Sequence, residues 1–276
     1  MTGNSQNLSA GAQRTRRNVV KMGSVFAPAA LASAVLARTK PAQAVPCAAV
    51  LLRCNCFLKG TTIVTAEGES KVEDLAIGDV LPAMFGGTRP IQWIGRYPLK
   101  KSDPSKPWVE DARPVRIARS ALAPDVPQAD LYVTRSHALY IDGLLVPAGC
   151  LINGATITLY EARDCDELEF FHIKLESHDV IYAEGAPVET LLDVDERAVN
   201  FAEYFRRYGA PNREETPCAP RVSIAGRRGE LKSRIRSAMS PWIDRREPID
   251  VIRDQLEERG ITLFRQSEPA PRLRSM

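Results

Sequence analysis

Between residues 56 and 195 no apolar pattern of helical period is sustained, while turn signals recur roughly every ten residues. A chain punctuated this often can bury its apolar side chains only as short strands, which places this half in the mainly β class, as a sandwich or a compact multi-hairpin fold. Residues 61–65 are all β-branched. Ile77-Gly78-Asp79-Val80 opens a strand that returns through Gly86-Gly87 into Ile91-Gln92-Trp93-Ile94. Leu139-Tyr140-Ile141 and Leu144-Leu145-Val146 flank Asp142-Gly143, a pair that accepts the positive φ of a two-residue hairpin turn. Phe171, Ile173 and Leu175 alternate with His172, Lys174 and Glu176, which predicts a half-buried strand with His172 on its polar side, in a structural role. Residues 99–113 are polar and interrupted by proline, and so read as an inserted loop.

After about Asp195 the period changes. Residues 197–208 and 229–239 have helical patterns. Pro248 sits at a first helical turn before residues 249–259, with Gly260 in the stop position. Arg227, Arg228, Lys232, Arg234 and Arg236 face only Glu230 in charge, with Leu231 and Ile235 one turn apart. The reading taken is a solvated helix face rather than a nucleic-acid or membrane-surface site.

Charge separates the N-terminus from the rest. Residues 1–44 carry six basic side chains (Arg14, Arg16, Arg17, Lys21, Arg38, Lys40) and no acid. Subtracting these six from the 37 Lys and Arg leaves 31 against 34 Asp and Glu, a net of −3. The basicity therefore belongs mainly to that segment and gives no reason to expect a nucleic-acid partner. Arg16 and Arg17 precede an uncharged, Ala-rich run from Met22 to Ala37, and Ala42-Gln43-Ala44 offers a small-x-small cleavage pattern. The pattern is that of a twin-arginine-like export signal over residues 1–44. Its apolar run is too short and too rich in alanine for a stable membrane span. A bacterial periplasmic or secreted location follows as the expectation, in which disulfides can form. The six cysteines, Cys47, Cys54, Cys56, Cys150, Cys165 and Cys218, are compatible with three bridges, among them one from Cys218 to the β domain.

The chemistry-bearing residues are sparse. Cys56 opens the β-rich region, Thr134-Arg135-Ser136-His137 follows far downstream, and His178 lies near the region's end. A cysteine thiol is a nucleophile once deprotonated, and imidazole alone titrates near neutral pH without special tuning. The three histidines and the acids show no ligand pair at helix or hairpin spacing, so a metal-dependent hydrolase is disfavoured and no cofactor is implied. Asp74 and Asp79 read as turn and cap residues.

Residues 56–195 resemble a Hint domain, the self-processing module shared by hedgehog C-terminal domains and inteins, and most closely its bacterial hedgehog-type branch. The resemblance rests on Cys56-Phe57-Leu58-Lys59-Gly60-Thr61, Val72-Glu73-Asp74-Leu75-Ala76-Ile77-Gly78-Asp79-Val80 and Ile91-Gln92-Trp93-Ile94-Gly95-Arg96. Thr134-x-x-His137-Ala138, Leu151-Ile152-Asn153-Gly154 and His172-Ile173-x-Leu175-x-x-His178-x-x-Ile181-x-Ala183-Glu184-Gly185 follow in order. It implies a horseshoe-shaped, pseudo-symmetric β fold with a helical appendage over residues 196–276, which the resemblance does not cover. It further implies that Cys56, Thr134 and His137 meet, with His178 as a second active-site histidine. Cys56 would attack the carbonyl of Asn55, His137 would protonate the Cys56 nitrogen, and Thr134 would hold the scissile amide.

Splicing members end in His-Asn, and the corresponding Pro187-Val188-Glu189-Thr190-Leu191 has neither residue. The expectation is an N-to-S acyl shift without splicing, resolved by water, a thiol or another nucleophile. The substrate is the chain's own flank, residues 45–55, between Ala44 and Cys56. Asp111 and Asp130 are both candidates for the aspartate that hedgehog-type members use in their second step. The competing reading is a periplasmic or secreted β module that keeps the fold for binding and does not process.

Overall fold

The computed structural model describes residues 55–192, 202–209, 216–222 and 226–267. The export-signal expectation for residues 1–44, with Arg16, Arg17, Ala42 and Ala44, lies outside these, as do Cys47 and Cys54. Among the described residues no helix is long and apolar enough to cross a membrane.

Two antiparallel sheets carry the fold. One has seven strands in the order β10 (Ile157–Leu159), β6 (Val115–Ile117), β7 (Leu131–Val133), β1 (Phe57–Leu58), β11 (Glu167–Leu175), β5 (Gly87–Lys100), β4 (Val80–Ala83). The other has six, in the order β3 (Gly68–Lys71), β2 (Thr62–Thr65), β12 (Val180–Ala183), β13 (Ala186–Glu189), β8 (Ala138–Ile141), β9 (Leu144–Pro147). The first is built on two long strands, β5 (Gly87–Lys100) and β11 (Glu167–Leu175), paired from Glu167↔Lys100 to Leu175↔Ile91. The two-residue strand β1 (Phe57–Leu58) lies between β11 and β7 (Leu131–Val133), with Phe57 opposite both Phe171 and Val133. Burial of Phe57 at this crossing draws the residue before it into the interior, and Cys56 is 0% exposed.

The second sheet is made largely of hairpins whose turns the local residues dictate. β8 (Ala138–Ile141) and β9 (Leu144–Pro147) join through Asp142 (φ 48) and Gly143 (φ 83), the positive pair that a two-residue turn requires. β12 (Val180–Ala183) and β13 (Ala186–Glu189) join in the same way through Glu184 and Gly185. The Ile77-Gly78-Asp79 stretch is a turn rather than a strand opening, and β4 (Val80–Ala83) begins after it. There the Asp79 carboxylate accepts the Ala76 N–H at 2.9 Å. The inserted stretch after Lys100 is anchored by Trp108, whose ring is buried and whose Nε1–H donates to the Cys165 carbonyl at 2.9 Å.

β11 departs from the alternation expected of it. Both faces are covered, because one set of its side chains (Phe171, Ile173, Leu175) enters the main core and Leu168 and Phe170 enter a second cluster. His172 and Lys174 are consequently buried rather than solvated.

Among the described residues three helices follow: α1 (Ala202–Tyr208), α2 (Gly226–Met239) and α3 (Pro248–Ser267). Gly260 does not stop α3, which continues for two further turns. A Cβ at Gly260 would come 3.4 Å from Thr156 Oγ1, so the glycine sits where the helix approaches the β domain closely. Ile249, Ile252 and Leu256 of α3 belong to the main core with Phe57 and Phe171, so the tail shares the domain's interior. α2 turns its polar residues inward: Ser233 and Arg236 bind Asp250 of α3, while Leu231 and Ile235 are 59% and 49% exposed. The face it presents outward carries Lys232 and Arg234 beside these two apolar side chains.

Candidate active site

The start of β1 delivers the Asn55–Cys56 peptide to the middle of the seven-stranded sheet, and the end of β7 delivers Thr134 beside it. The two residues clasp each other. The Cys56 N–H donates to Thr134 Oγ1 at 3.0 Å, and the Thr134 N–H donates to the Cys56 carbonyl at 3.0 Å. Thr134-Arg135-Ser136-His137 is a tight turn closed by the His137 N–H on the Thr134 carbonyl at 3.1 Å. That turn swings the His137 ring onto Phe57, edge to face, with centroids 4.4 Å apart.

His137 is fully enclosed. Its Nε2 lies 2.9 Å from the Glu189 carbonyl, which can only accept, so Nε2 carries the proton and donates. Nδ1 is left as a lone pair with no hydrogen-bond partner among the described residues. Burial pushes the His137 pKa below the ordinary histidine value, against the Glu189 carboxylate and the Cys56 and Glu189 backbones, which raise it; Arg221 adds to the lowering.

The third member of the cluster is His172. Its Nδ1 lies 3.0 Å from the Asn55 carbonyl oxygen, and its ring nitrogens lie 3.4 and 3.5 Å from Cys56 Sγ. The same tautomer reasoning makes Nδ1 the donor to Asn55 and leaves Nε2 able to accept a proton. Burial lowers its pKa to about 4, with the Asn55 carbonyl raising it and His137 lowering it further, so the ring is neutral at neutral pH. Alternation put His172 on a wet strand face, whereas it is buried beside the Cys56 thiol. The signal that could have found it is the unbroken apolar setting Phe170-Phe171-His172-Ile173, which suits a strand buried on both faces.

His178 has other partners than Cys56. Its Nδ1 accepts the Cys218 N–H at 3.0 Å, and its Nε2 lies 3.4 Å from Glu189 Oε2, a charge contact rather than an aligned hydrogen bond. Glu189 is completely buried; its Oε1 accepts the Ala138 N–H at 2.7 Å and its Oε2 pairs with Arg221. Burial alone would raise the Glu189 pKa, but His178, Arg221, His137 and the Ala138 N–H together outweigh it and hold the carboxyl below its usual range. Neither Glu189 nor Arg221 stands out in the sequence, since both gain their meaning from contacts across the fold.

The remaining candidates have partners of their own. Asp130 binds Arg116 at 2.7 Å and the Arg119 N–H at 2.9 Å, and Asp111 lies 3.6 Å from Arg135. Cys218 is a free thiol and not a staple to the β domain, and burial pushes its pKa up to about 11. Cys56, Cys150 and Cys165 are likewise thiols outside any disulfide. No group of three His, Cys, Asp or Glu side chains among the described residues is arranged to hold a metal ion.

Residues 55–195 match the family model of the Hint domain, and the chain belongs to the Hint-domain family. Among solved structures it is similar to a bacterial intein-like domain from Clostridium thermocellum, at 16% identity and a TM-score of 0.35, over 49% of this chain and 96% of that one. It is also similar to a DnaB intein from Synechocystis sp. PCC 6803, at 11% identity and a TM-score of 0.35, over 50% of this chain and 99% of that one. No curated protein matches the sequence.

Proposed function

We propose that this is an exported Hint-domain autoprocessing protein that cleaves its own Asn55–Cys56 bond through a thioester and does not splice. One observation carries the reading: the scissile peptide is held at both ends, its N–H by Thr134 Oγ1 and its C=O by His172 Nδ1, with the Cys56 thiol on the same imidazole. Amides resist attack because the nitrogen donates into the carbonyl and leaves poorly. Both obstacles have a group placed against them.

The thiol proton passes to the His172 ring, 3.4–3.5 Å away, and the sulfur attacks the Asn55 carbonyl carbon. The oxygen that gathers charge already receives the His172 N–H, a donor in a dry setting where it is worth far more than in water. As the carbon–nitrogen bond breaks, the Cys56 nitrogen takes a proton from the charged form of His137, which carries a second proton on Nδ1. Burial makes charged His137 a ready donor, because the enclosed imidazolium is disfavoured. One carbon–sulfur bond replaces one carbon–nitrogen bond; the new amine holds the proton given by His137, and the thiol's proton stays on His172. Water or a thiol then resolves the thioester. Pro187-Val188-Glu189-Thr190-Leu191, at the place that corresponds to the His-Asn of splicing members, has neither residue, so the second cleavage that splicing needs lacks its asparagine.

Export by a twin-arginine-like route, with Arg16 and Arg17 in the leader and cleavage after Ala44, belongs to the same proposal. It would let the domain fold before the thiol meets an oxidising compartment. The expected outcome for the purified full chain in dithiothreitol is release of the segment ending at Asn55, seen by intact mass. Cys56→Ala abolishes it, and His172→Gln slows it by roughly 10²–10³-fold, as loss of an oxyanion donor does. A wild-type mass unchanged by thiol would leave the fold as a binding module instead.

A further inference from the structure

Residues 216–222 lie beyond the matched Hint segment and return to the edge of the six-stranded sheet. The Leu145 N–H donates to the Pro220 carbonyl and the Val222 N–H to the Leu145 carbonyl, each at 2.9 Å, which pairs Arg221 with Leu145 in parallel. The strap thereby covers the exposed edge of β9. From it the Arg221 side chain reaches inward, one nitrogen on Glu189 Oε2 and the other on the Ser136 carbonyl at 2.5 Å.

Those two contacts bracket His137. Ser136 before it is held by Arg221, Ala138 after it donates to Glu189 Oε1, and the imidazole itself donates to the Glu189 carbonyl at 2.9 Å. We propose that Arg221 and Glu189 form a positioning pair for His137, so that the chain beyond the Hint segment completes the self-cleaving site. The role assigned to His137 rests on the function proposed above; the pair's hold on its ring does not.

A buried ion pair beside a histidine acts on it with opposite signs. The carboxylate favours the charged ring and the guanidinium disfavours it. The other titratable groups around His137 are the Cys56 thiol at the start of β1 and His172 on β11, with His178 behind Glu189. Removing one member of the pair leaves these in place and unmasks the other member.

The test is an imidazole NMR titration of the full chain in a Cys56→Ala background, read beside the pH profile of cleavage in chains that keep Cys56. With only 3 histidines in the chain, each is assigned by one substitution. Arg221→Met is expected to move the His137 midpoint, and the alkaline limb of cleavage, to higher pH. Glu189→Gln is expected to move both to lower pH, and each variant should lose roughly 10²-fold in rate through misplacement of the ring. Midpoints unmoved, or moved in one direction by both variants while the amide spectrum stays folded, would overturn the proposal. If Arg221→Met does not fold, Arg221→Lys replaces it: charge toward Glu189 is kept and the fork to Ser136 is lost, so the midpoint holds while cleavage slows. A Lys variant as fast as wild type would count against the pair. If the wild type does not cleave at all, the functional reading fails, yet the titration still decides whether the pair governs His137.

Discussion

His172 joins two requirements that conflict in water. It must meet the Asn55 oxygen with a proton and the Cys56 sulfur without one, which only a neutral imidazole can do. Burial supplies the neutrality, lowering its pKa from 6.5 to about 4. The same shift makes stability depend on pH. Between those two values the unfolded chain binds a proton that the folded chain does not, so this contribution is complete above 6.5 and is lost as pH falls toward 4. The expected loss is of order 3 kcal/mol across that window. Denaturant melts at several pH values should show His172→Gln with a flatter acid limb than wild type. An identical acid limb would mean that His172 is protonated as easily in the folded chain as in the unfolded one.

At the scale of elements, the hairpins were legible because their instructions are local. Asp142-Gly143 demands positive φ at two successive residues, and the chain has it there. β11 was not, because alternation reports only strands with one wet face, and this strand has none. Nor was the end of α3. Gly260 has the look of a helix stop, yet α3 runs past it and packs close to Thr156, a contact that the neighbouring sequence does not encode. Gly260→Ala should therefore be stabilising by up to about 1 kcal/mol, since a Cβ at 3.4 Å makes ordinary contact and the helix loses a flexible residue. Gly260→Leu should be destabilising, because longer atoms would push α3 off the turn at Thr156. Urea midpoints of the two variants falling on the same side of wild type would refute this packing of the glycine.

On the scale of the whole molecule, the β domain and the tail share one core. The change of period after Asp195 marks where helices take over, but not where the domain's interior ends: Ile249, Ile252 and Leu256 pack with strand residues. The Cys56–Thr134–His137 grouping could be read from the family resemblance. The parts supplied by His172, Glu189 and Arg221 could not, since each depends on contacts between distant segments. Ile252→Ala should cost about 2–5 kcal/mol, as other large-to-small core changes do. The loss should appear in the fluorescence of the buried Trp93 in the β domain, in one transition with the helical signal. A helical transition that separates from the Trp93 transition would show that the tail is only an appendage.

The central claim concerns one bond, and hydroxylamine addresses it directly. A thioester between Asn55 and Cys56 is cut by hydroxylamine to leave a hydroxamate on the N-terminal fragment. Fragment mass after that treatment should place the new end at Asn55, with no such product from Cys56→Ala. A chain that stays whole, or a cut at any other residue, would contradict the account.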